Sequence, residues 1–360
     1  MQKVLVLPYA SNNPYQKLLY ENKVTEQYIE PLYYEPPEGI LGLFSFFSMS
    51  TMLISARLRG ARIAHLHWLY FLELPDYGPL LRFLSFLQTM TALWLIHALG
   101  YKLVWTAHNV LPHESNVLSA RTTRYTVRLA DKIIVHSPQA LKQFEAIGIH
   151  DTSKMVTIPH GNYDGVYPTT STRNTSRKKF GIKSHEKVIL FFGVIRPYKG
   201  VEELIDAYRH MPEGTGRLMI VGKCSDKTLH ARIMAAQKER PDIFYVNQSV
   251  PVDAVATYFQ AADVVCLPFQ SITTSGSALL AATFGKPLVA PYQGSLRDFP
   301  KTVGALYDPS KKNALQSALQ SIVTDDSKIA HSATRIRAYA DTLAWDKIAT
   351  KTCDVYKDLA

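Results

Sequence analysis

Short runs of apolar residues recur along the chain and alternate with longer stretches in which apolar residues return every three or four positions. In the first half these runs are KVLVLP, RIAHLHW, KLVWT, KIIVH and MVTI, all within residues 1–160. In the second half they are VILFF, RLMIV, IFYV, DVVCLP and PLVA, within residues 188–290. Strands that alternate with amphipathic helices predict parallel sheets with helices on both faces.

A polar stretch separates the two halves. Residues 169–187 contain a run of Thr, Ser and Asn and the basic cluster RKK, which predicts a linker. We therefore expect an α/β protein with two Rossmann-like domains facing a cleft. The predicted boundaries are 1–168 and 188–340 for the domains and 341–360 for a terminal helix. Ligands of open α/β sheets bind at the carboxyl ends of the strands, so the cleft is the expected site.

The charge of the chain is uneven. Its 360 residues include 40 Lys and Arg against 30 Asp and Glu. Up to residue 170 the counts are 14 against 12, and after it 26 against 18, so the excess lies in the C-terminal half. That half is the better candidate for binding an anion, although a solubilising surface charge would give the same counts. The basic residues form no recognisable nucleic-acid-binding module, so a nucleic-acid partner is not expected.

Cysteine usage indicates a reducing compartment. Cys224, Cys266 and Cys353 are far apart and form no CxxC or Cys/His cluster, so no metal site is predicted. The first ten residues are too short and too strand-like for a signal peptide. A cytoplasmic location is expected.

Two apolar segments bear on membrane contact. Residues 40–54 are too short to span a bilayer. Residues 83–104 are longer but contain Gln88, Thr89, His97 and Lys102, which favours a buried helix followed by a strand. A peripheral contact of these segments with the inner face of the cell membrane stays open.

The segment GVIRPYKG directly follows the apolar run VILFF. Gly193 allows close backbone approach, and Gly200 lets the chain turn into a helix. Arg196 offers a planar fork to a phosphate and Lys199 a point charge, so the turn predicts a phosphate site. A basic turn with solvent-facing charges is the alternative.

A second small, polar segment, TTSGS, follows the run DVVCLP and precedes an apolar helix. Its residues Thr274, Ser275, Gly276 and Ser277 would present hydroxyls and free N–H groups to an anion. Ordinary helix capping is the alternative. The nucleoside is expected beside the next strand ends, at Gly222, Lys223, Val246, Asn247 and Gln248.

The N-terminal half supplies candidates for catalysis and acceptor binding. A histidine directly after a strand can donate a hydrogen bond or move a proton, although such residues are often structural. The catalytic candidates are His108, Glu73, Asp76 and Glu114. The acceptor candidates are Asn12, Asn13, Tyr15, His67, Trp68 and Asn109; the aromatic residues among them would serve equally as core.

These motifs resemble the GT-B glycosyltransferases, in particular the bacterial family known as glycosyltransferase family 4 or group 1. The likeness rests on FFGVIRPYKGVEELIDAY, IVGKCSD, AADVVCLPFQSITTSGSALLAATFGKPLVAP and IPHGNYDGVYP. It implies that Arg196 and Lys199 bind the donor diphosphate and that His108 contacts the donor sugar. It also implies that the loop at residues 10–15, here without glycine, approaches the phosphates, and that the last helix crosses back to the N-terminal domain.

The chain departs from that family at one motif. Members usually carry two glutamates eight positions apart, of which the first approaches the sugar and the second the ribose. Aligning GKP of this chain with the family's G-x-P places Ile272 and Leu280 at these positions. The departure leaves inversion or retention open and shifts the anchoring of the donor to the TTSGS segment.

The sequence therefore predicts a hexosyltransferase that moves a sugar from a UDP- or GDP-linked donor to a hydroxyl acceptor, without cofactor or metal. The acceptor would be a carbohydrate or a lipid-linked carbohydrate in polysaccharide or glycolipid synthesis. A GT-B-like nucleotide-sugar epimerase and a catalytically silent nucleotide-sugar-binding subunit are the alternatives.

Overall fold

The computed structural model describes residues 1–36, 45–69, 78–111, 117–271 and 275–360. The chain divides into two compact units. Unit 1 comprises Met1–His160 and Trp345–Ala360, and unit 2 comprises Gly161–Ala344. Each unit contains one six-stranded, parallel sheet among its described residues.

Unit 1 has the strand order β2-β1-β3-β4-β5-β6. Its strands are β1 Gln2–Leu7, β2 Ile29–Tyr33, β3 Ile63–Leu66, β4 Lys102–Ala107, β5 Lys132–Val135 and β6 Met155–Thr157. Its first six helices are α1 Pro14–Tyr20, α2 Lys23–Tyr28, α3 Ser45–Leu58, α4 Pro79–Ala98, α5 Val117–Leu129 and α6 Gln139–Ala146. The central strands β3 and β4 are buried on both faces, as expected for a parallel sheet covered by helices.

Unit 2 has the strand order β12-β11-β10-β7-β8-β9. Its strands are β7 Val188–Phe192, β8 Arg217–Val221, β9 Ile243–Val246, β10 Val264–Cys266, β11 Leu288–Pro291 and β12 Gly304–Tyr307. Its helices are α7 Arg173–Lys179, α8 Val201–Arg209, α9 Lys227–Glu239, α10 Val252–Ala261, α11 Gly276–Thr283, α12 Ala314–Val323 and α13 Asp326–Thr342. This is the Rossmann order, and its switch point lies between β7 and β10.

The last helix, α14 Trp345–Lys357, belongs to unit 1. It packs against α1 and α2 and buries Trp345, Ile348 and Tyr356 in the core of that unit. The chain thus returns to its first unit at the end.

The structure divides the chain after His160, earlier than the expected boundary at residue 168. The expected linker, residues 169–187, contains α7, which packs against α10 of unit 2. The reason is Arg177, only 2% exposed, whose guanidinium pairs with Asp263 at 2.5 Å and donates to the carbonyls of Lys183, Ser184 and Glu186. A buried, fully bonded arginine fixes this basic segment to its unit.

Helix α4 differs from the buried helix that its composition favours. Residues 83–98 are helical and β4 follows, as predicted, but the inward positions include the polar Ser85 and Thr89. The outward positions carry Leu80, Phe83, Leu84, Leu87 and Trp94, of which Leu80 is 70% and Trp94 56% exposed. The helix presents an apolar stripe to the outside of unit 1.

Candidate functional site

The loop after β7 packs closely against the segment that follows β10. A short 3-10 helix, Pro197–Lys199, leads to Gly200, whose φ of 70° lies in the left-handed region. A Cβ on Gly200 would lie 2.1 Å from the carbonyl oxygen of Pro268. The N–H of Gln270 also donates to the carbonyl of Tyr198 at 2.9 Å. Glycine is required here because two backbones meet at the switch point of the sheet.

Three of the predicted phosphate-binding residues converge at this point. Gly193, directly after β7, has a φ of 132°. The position that its Cβ would occupy lies 3.0 Å from Ser277 Oγ and 3.5 Å from Lys199 Nζ. The structure therefore brings Gly193, Lys199 and Ser277 together, and Arg196 lies three residues before Lys199 on the same turn. Thr274 lies outside the described residues.

Lys199 is held in an unusual electrostatic setting. Burial and the neighbouring Arg196 lower the pKa of its ammonium to about 8. The ring centroid of Phe269 lies 5.6 Å from Nζ. Among the described residues no carboxylate forms an ion pair with Lys199. An anion bound at this turn would offset the repulsion between the charges of Lys199 and Arg196.

The start of α11 shows the helix capping that was the alternative interpretation of TTSGS. Ser275 is buried and caps the helix, its Oγ accepting from the N–H of Ala278 at 3.0 Å. Gly276 follows, and a Cβ there would lie 3.0 Å from the hydroxyl oxygen of Tyr163. The hydroxyl of Ser277, unlike that of Ser275, is directed toward the Gly193 turn. Capping thus accounts for Ser275, which leaves Gly276 and Ser277 as the candidates for anion binding in this segment.

The candidate nucleoside residues lie at the carboxyl ends of β8 and β9. Gly222 has a φ of 153°, and a Cβ there would lie 1.8 Å from the carbonyl oxygen of Gly193. The Oδ1 of Asn247 accepts from the N–H of Cys224 at 2.8 Å, so this side chain holds the adjacent loop. Lys223 and Gln248 are exposed, and Val246 is half-buried.

A cavity of about 620 Å³ opens in unit 2 over the carboxyl ends of β10 to β12. Its walls include Phe269, Gln270, Gln293 and Tyr307, and Glu203 from α8. Because Phe269 also lies beneath Lys199, the cavity adjoins the basic turn.

In unit 1, histidines occupy the carboxyl ends of four neighbouring strands. His67, His108 and His136 come directly after β3, β4 and β5, and His160 follows β6 closely. Tyr15, from α1, packs its ring against His108 at 4.7 Å and against His160 at 4.9 Å between ring centroids. His136 and His160 were not among the predicted site residues, whereas Tyr15, His67 and His108 were. A histidine after each predicted strand was the signal that could have identified them.

Most candidate acceptor residues have structural contacts. Asn13 caps α1 by accepting from the N–H of Tyr15 at 2.9 Å, and Tyr15 and His67 are buried. Trp68 stacks on His108 with 4.9 Å between ring centroids. Asn12 is exposed and Asn109 half-buried. Burial thus removes Tyr15 and His67 from direct acceptor contact.

The carboxylates Glu73, Asp76 and Glu114 lie outside the described residues. Within the described ranges, no group of three or more His, Cys, Asp or Glu side chains is arranged to hold a metal ion.

The loop after β1 contains no glycine and is held by a buried side chain. The Oε1 of Gln16 accepts from the N–H of Ala10 at 2.7 Å, and its Nε2 donates to the carbonyl of Pro8 at 2.8 Å. This amide fixes the loop at residues 8–16 in place of a glycine turn.

Two parallel sheets, one of Rossmann order with a basic, glycine-bounded turn at its switch point, define a nucleotide-binding class of α/β protein. Residues 172–341 match the family model described as glycosyl transferases group 1. The chain is 27% identical to a GDP-mannose:glycolipid 4-β-D-mannosyltransferase of Xanthomonas campestris pv. campestris, over 83% of this chain and 80% of that protein. It is 26% identical to a D-inositol 3-phosphate glycosyltransferase of Xylanimonas cellulosilytica, over 64% of this chain and 57% of the relative.

Solved structures share the fold. Sucrose-phosphate synthase from Thermosynechococcus elongatus superposes with a TM-score of 0.77 at 18% identity, covering 100% of this chain and 99% of that one. Anabaena Alr3699/HepE in complex with UDP and glucose gives 0.75 at 17% identity, covering 99% and 100%. The chain is therefore a nucleotide-sugar glycosyltransferase of the GT-B fold, and its residues 172–341 resemble the group 1 glycosyl transferases. The predicted fold and enzyme class are confirmed.

Proposed function

We propose that unit 2 binds the diphosphate of a nucleoside diphosphate hexose through Arg196, Lys199, Ser277 and the N–H groups at the start of α11, without a metal ion. The observation that carries this proposal is the buried ammonium of Lys199, which lies at the Gly193 turn with the hydroxyl of Ser277 and close enough to Arg196 for the two positive charges to repel each other. A bound diphosphate would place negative charge next to Lys199 and would raise its lowered pKa.

The same groups would act in the reaction. The diphosphate gains negative charge as the bond to the sugar breaks, and Lys199 and Arg196 are preorganised toward that charge. Electrostatic stabilisation of a leaving group by such donors contributes about 3 kcal/mol per group in well-ordered sites. The nucleoside would extend over Gly222 toward Gln248, at the ends of β8 and β9.

Nucleotide binding can be tested by thermal unfolding of the whole chain. At a ligand concentration of about 100 times Kd, a bound ligand stabilises the folded state by about 2.7 kcal/mol, or about 5 to 10 °C in Tm for a unit of this size. We expect GDP or UDP to produce such a shift, and the matching nucleoside monophosphate a much smaller one. Equal shifts with mono- and diphosphates would contradict a diphosphate site; the nucleotide that gives the larger shift identifies the base.

For the acceptor we propose a lipid-linked carbohydrate, which receives the sugar at the inner face of the cell membrane. The Xanthomonas relative is named for a glycolipid acceptor, which supports this choice. A second line of support comes from the surface of unit 1, where α3 and α4 pack side by side. We call the outward face of these two helices the apolar face.

The apolar face has the chemistry of a bilayer-binding surface. Its α4 stripe is extended on α3 by Phe47, Ile54 and Leu58, of which Phe47 is 69% and Leu58 83% exposed. The inward positions of α4 include Ser85 and Thr89, so the helix turns its larger apolar side chains outward. Water disfavours such an arrangement, whereas the acyl region of a membrane favours it.

Charge around the apolar face points to anionic lipid. The described residues 45–69, 78–111 and 117–131 contain eight Lys and Arg and one carboxylate, Asp131, which pairs with Lys102. Arg59, Arg62 and Arg82 are exposed, and Arg59 and Arg82 are the sequence neighbours of the exposed Leu58 and Phe83. Cations next to an amphipathic surface add roughly 1 kcal/mol each to the binding of an anionic bilayer.

Helix α4, with 20 residues, is the one helix in the described part of the chain that is long and apolar enough to cross a membrane. Its Ala92, Leu93 and Ile96, however, lie in the core of unit 1. A helix that supplies core residues to a sheet favours a peripheral contact over a span.

Flotation with vesicles tests the apolar face. We expect the full chain to float with phosphatidylglycerol-containing vesicles at low salt and to float less with pure phosphatidylcholine. The double substitution Phe83→Ser and Leu87→Ser should abolish flotation, because it removes apolar area from the stripe. Met234→Ser, which changes an exposed apolar residue of α9 in unit 2, serves as the matched control. Unchanged flotation of the double variant would contradict the proposal.

A further inference from the structure

The histidines at the strand ends of unit 1 form a continuous hydrogen-bonded chain. The Tyr20 hydroxyl lies 2.7 Å from His67 Nε2, and His67 Nδ1 lies 3.3 Å from His108 Nε2. His108 Nδ1 lies 3.2 Å from His136 Nε2, and His136 Nδ1 lies 3.0 Å from the carbonyl oxygen of Ile158. Neighbouring parallel strands are about 4.8 Å apart, which places one ring per strand in a row.

The last contact fixes the direction of every bond in the chain. A carbonyl oxygen only accepts, so His136 must carry its proton on Nδ1. In a neutral imidazole the other nitrogen is then an acceptor, so His136 Nε2 receives a bond from His108 Nδ1–H. The same step repeats: His108 Nε2 accepts from His67 Nδ1–H, and His67 Nε2 accepts from the hydroxyl of Tyr20. One backbone carbonyl thereby sets the tautomers of three histidines.

The surroundings keep these rings neutral. Burial lowers the pKa of His136 to about 4, and it also lowers the pKa of His67 and of His108 well below the ordinary value. His108 and His136 additionally disfavour a positive charge on His67, and His136 disfavours one on His108. The directed chain therefore requires no charged imidazole.

We propose that His136 and His67 are positioning residues that hold His108 as the neutral Nδ1–H tautomer, with its single lone pair on Nε2. Trp68 stacks on one face of the His108 ring. This stack and the hydrogen-bonded chain together fix the orientation of the His108 ring. In this state both ring nitrogens of His108 are engaged within unit 1: its Nδ1–H donates to His136 and its Nε2 lone pair accepts from His67, so the tautomer and the ring orientation are set before any ligand binds.

Long-range proton–nitrogen correlation spectra of the full chain with ¹⁵N-labelled histidine test the tautomer directly. The His108 signals can be assigned by their loss in His108→Gln. We expect a protonated Nδ1 and an unprotonated Nε2 in the wild-type protein. Detection of the Nε2–H tautomer or of a protonated imidazolium at neutral pH would overturn the proposal.

Two substitutions at His136 separate positioning from packing. His136→Leu removes the acceptor for His108 Nδ1–H, so the His108 signals should change to a mixture of tautomers. His136→Gln keeps an amide that can donate to the Ile158 carbonyl and accept from His108, so it should retain the Nδ1–H tautomer. His150→Leu, at an exposed histidine of unit 1, is the control. Identical spectra for the Leu and Gln variants of His136 would contradict the chain.

A kinetic cycle gives a second readout, which rests on the proposed transferase reaction. If His136 acts through His108, His136→Leu should lower kcat/KM in the wild-type background but change it by less than about threefold in the His108→Gln background. Equal losses in both backgrounds would make His136 merely structural. Because the spectra need no donor or acceptor, failure of the tautomer assignment is distinguishable from failure of the proposed reaction.

Discussion

Replacing Lys199 or Arg196 by Ala should lower kcat/KM for sugar transfer by about 30-fold or more, which corresponds to about 2 kcal/mol of transition-state stabilisation. Lys199 Nζ lies at the Gly193 turn beside Ser277, where the charge of a leaving diphosphate would develop. Truncation to Ala leaves that charge to a single cation and to helix N–H groups. Since the usual pair of glutamates is absent, few other side chains remain to hold the donor.

The measurement is steady-state turnover with the donor identified by thermal unfolding. Lys179→Ala removes an exposed cation from α7 in the same unit and should leave kcat/KM unchanged, which controls for the loss of general positive charge. We also expect the nucleotide-induced rise in Tm to shrink in both site variants. Wild-type turnover in Lys199→Ala and in Arg196→Ala would refute the diphosphate assignment.

The central strands of both sheets were predictable because burial on both faces demands unbroken apolar runs. The run VILFF forms β7, and the run KLVWT forms most of β4. The edge strands β2 and β12 gave no such signal. β2 contains Pro31, which an edge tolerates because one side of the strand has no partner, and β12 is the short sequence GALY.

The basic segment at residues 169–187 shows where composition misleads. A run of Arg and Lys between two domains predicts a solvent-exposed linker, yet Arg177 is buried against Asp263. Asp263 follows α10 and lies far away in sequence, so its partnership depends on tertiary structure. No local pattern contains that information.

The candidate site divides in the same way. The turn around Gly193 and Lys199 is formed by residues that are close in sequence, so its glycines and cations can be recognised from the sequence alone. The imidazole chain of unit 1 depends on the order β3-β4-β5-β6, which brings His67, His108 and His136 side by side. A sequence shows that each strand is followed by a histidine, but only the strand order makes them neighbours.

Gly200→Ala should be the most damaging single-methyl substitution at the site. A residue with a side chain at a φ of 70° is strained, and the new Cβ would lie 2.1 Å from the carbonyl oxygen of Pro268, so one backbone must move. We expect a loss of about 3 kcal/mol or more in the stability of unit 2. Lys199 would shift with the displaced turn, so nucleotide binding should weaken as well.

Gly181→Ala provides the matched control, because Gly181 has a φ of 61° in the same unit but no atom within 4 Å of its would-be Cβ. Backbone strain alone should then cost it about 1 kcal/mol. Hydrogen exchange followed by mass spectrometry can compare the two variants within unit 2, segment by segment. Faster exchange confined to β7, α8 and the segment after β10 in Gly200→Ala would locate the damage at the contact with Pro268. Equal effects of the two substitutions would mean that the close approach of these backbones does not hold the basic turn in place.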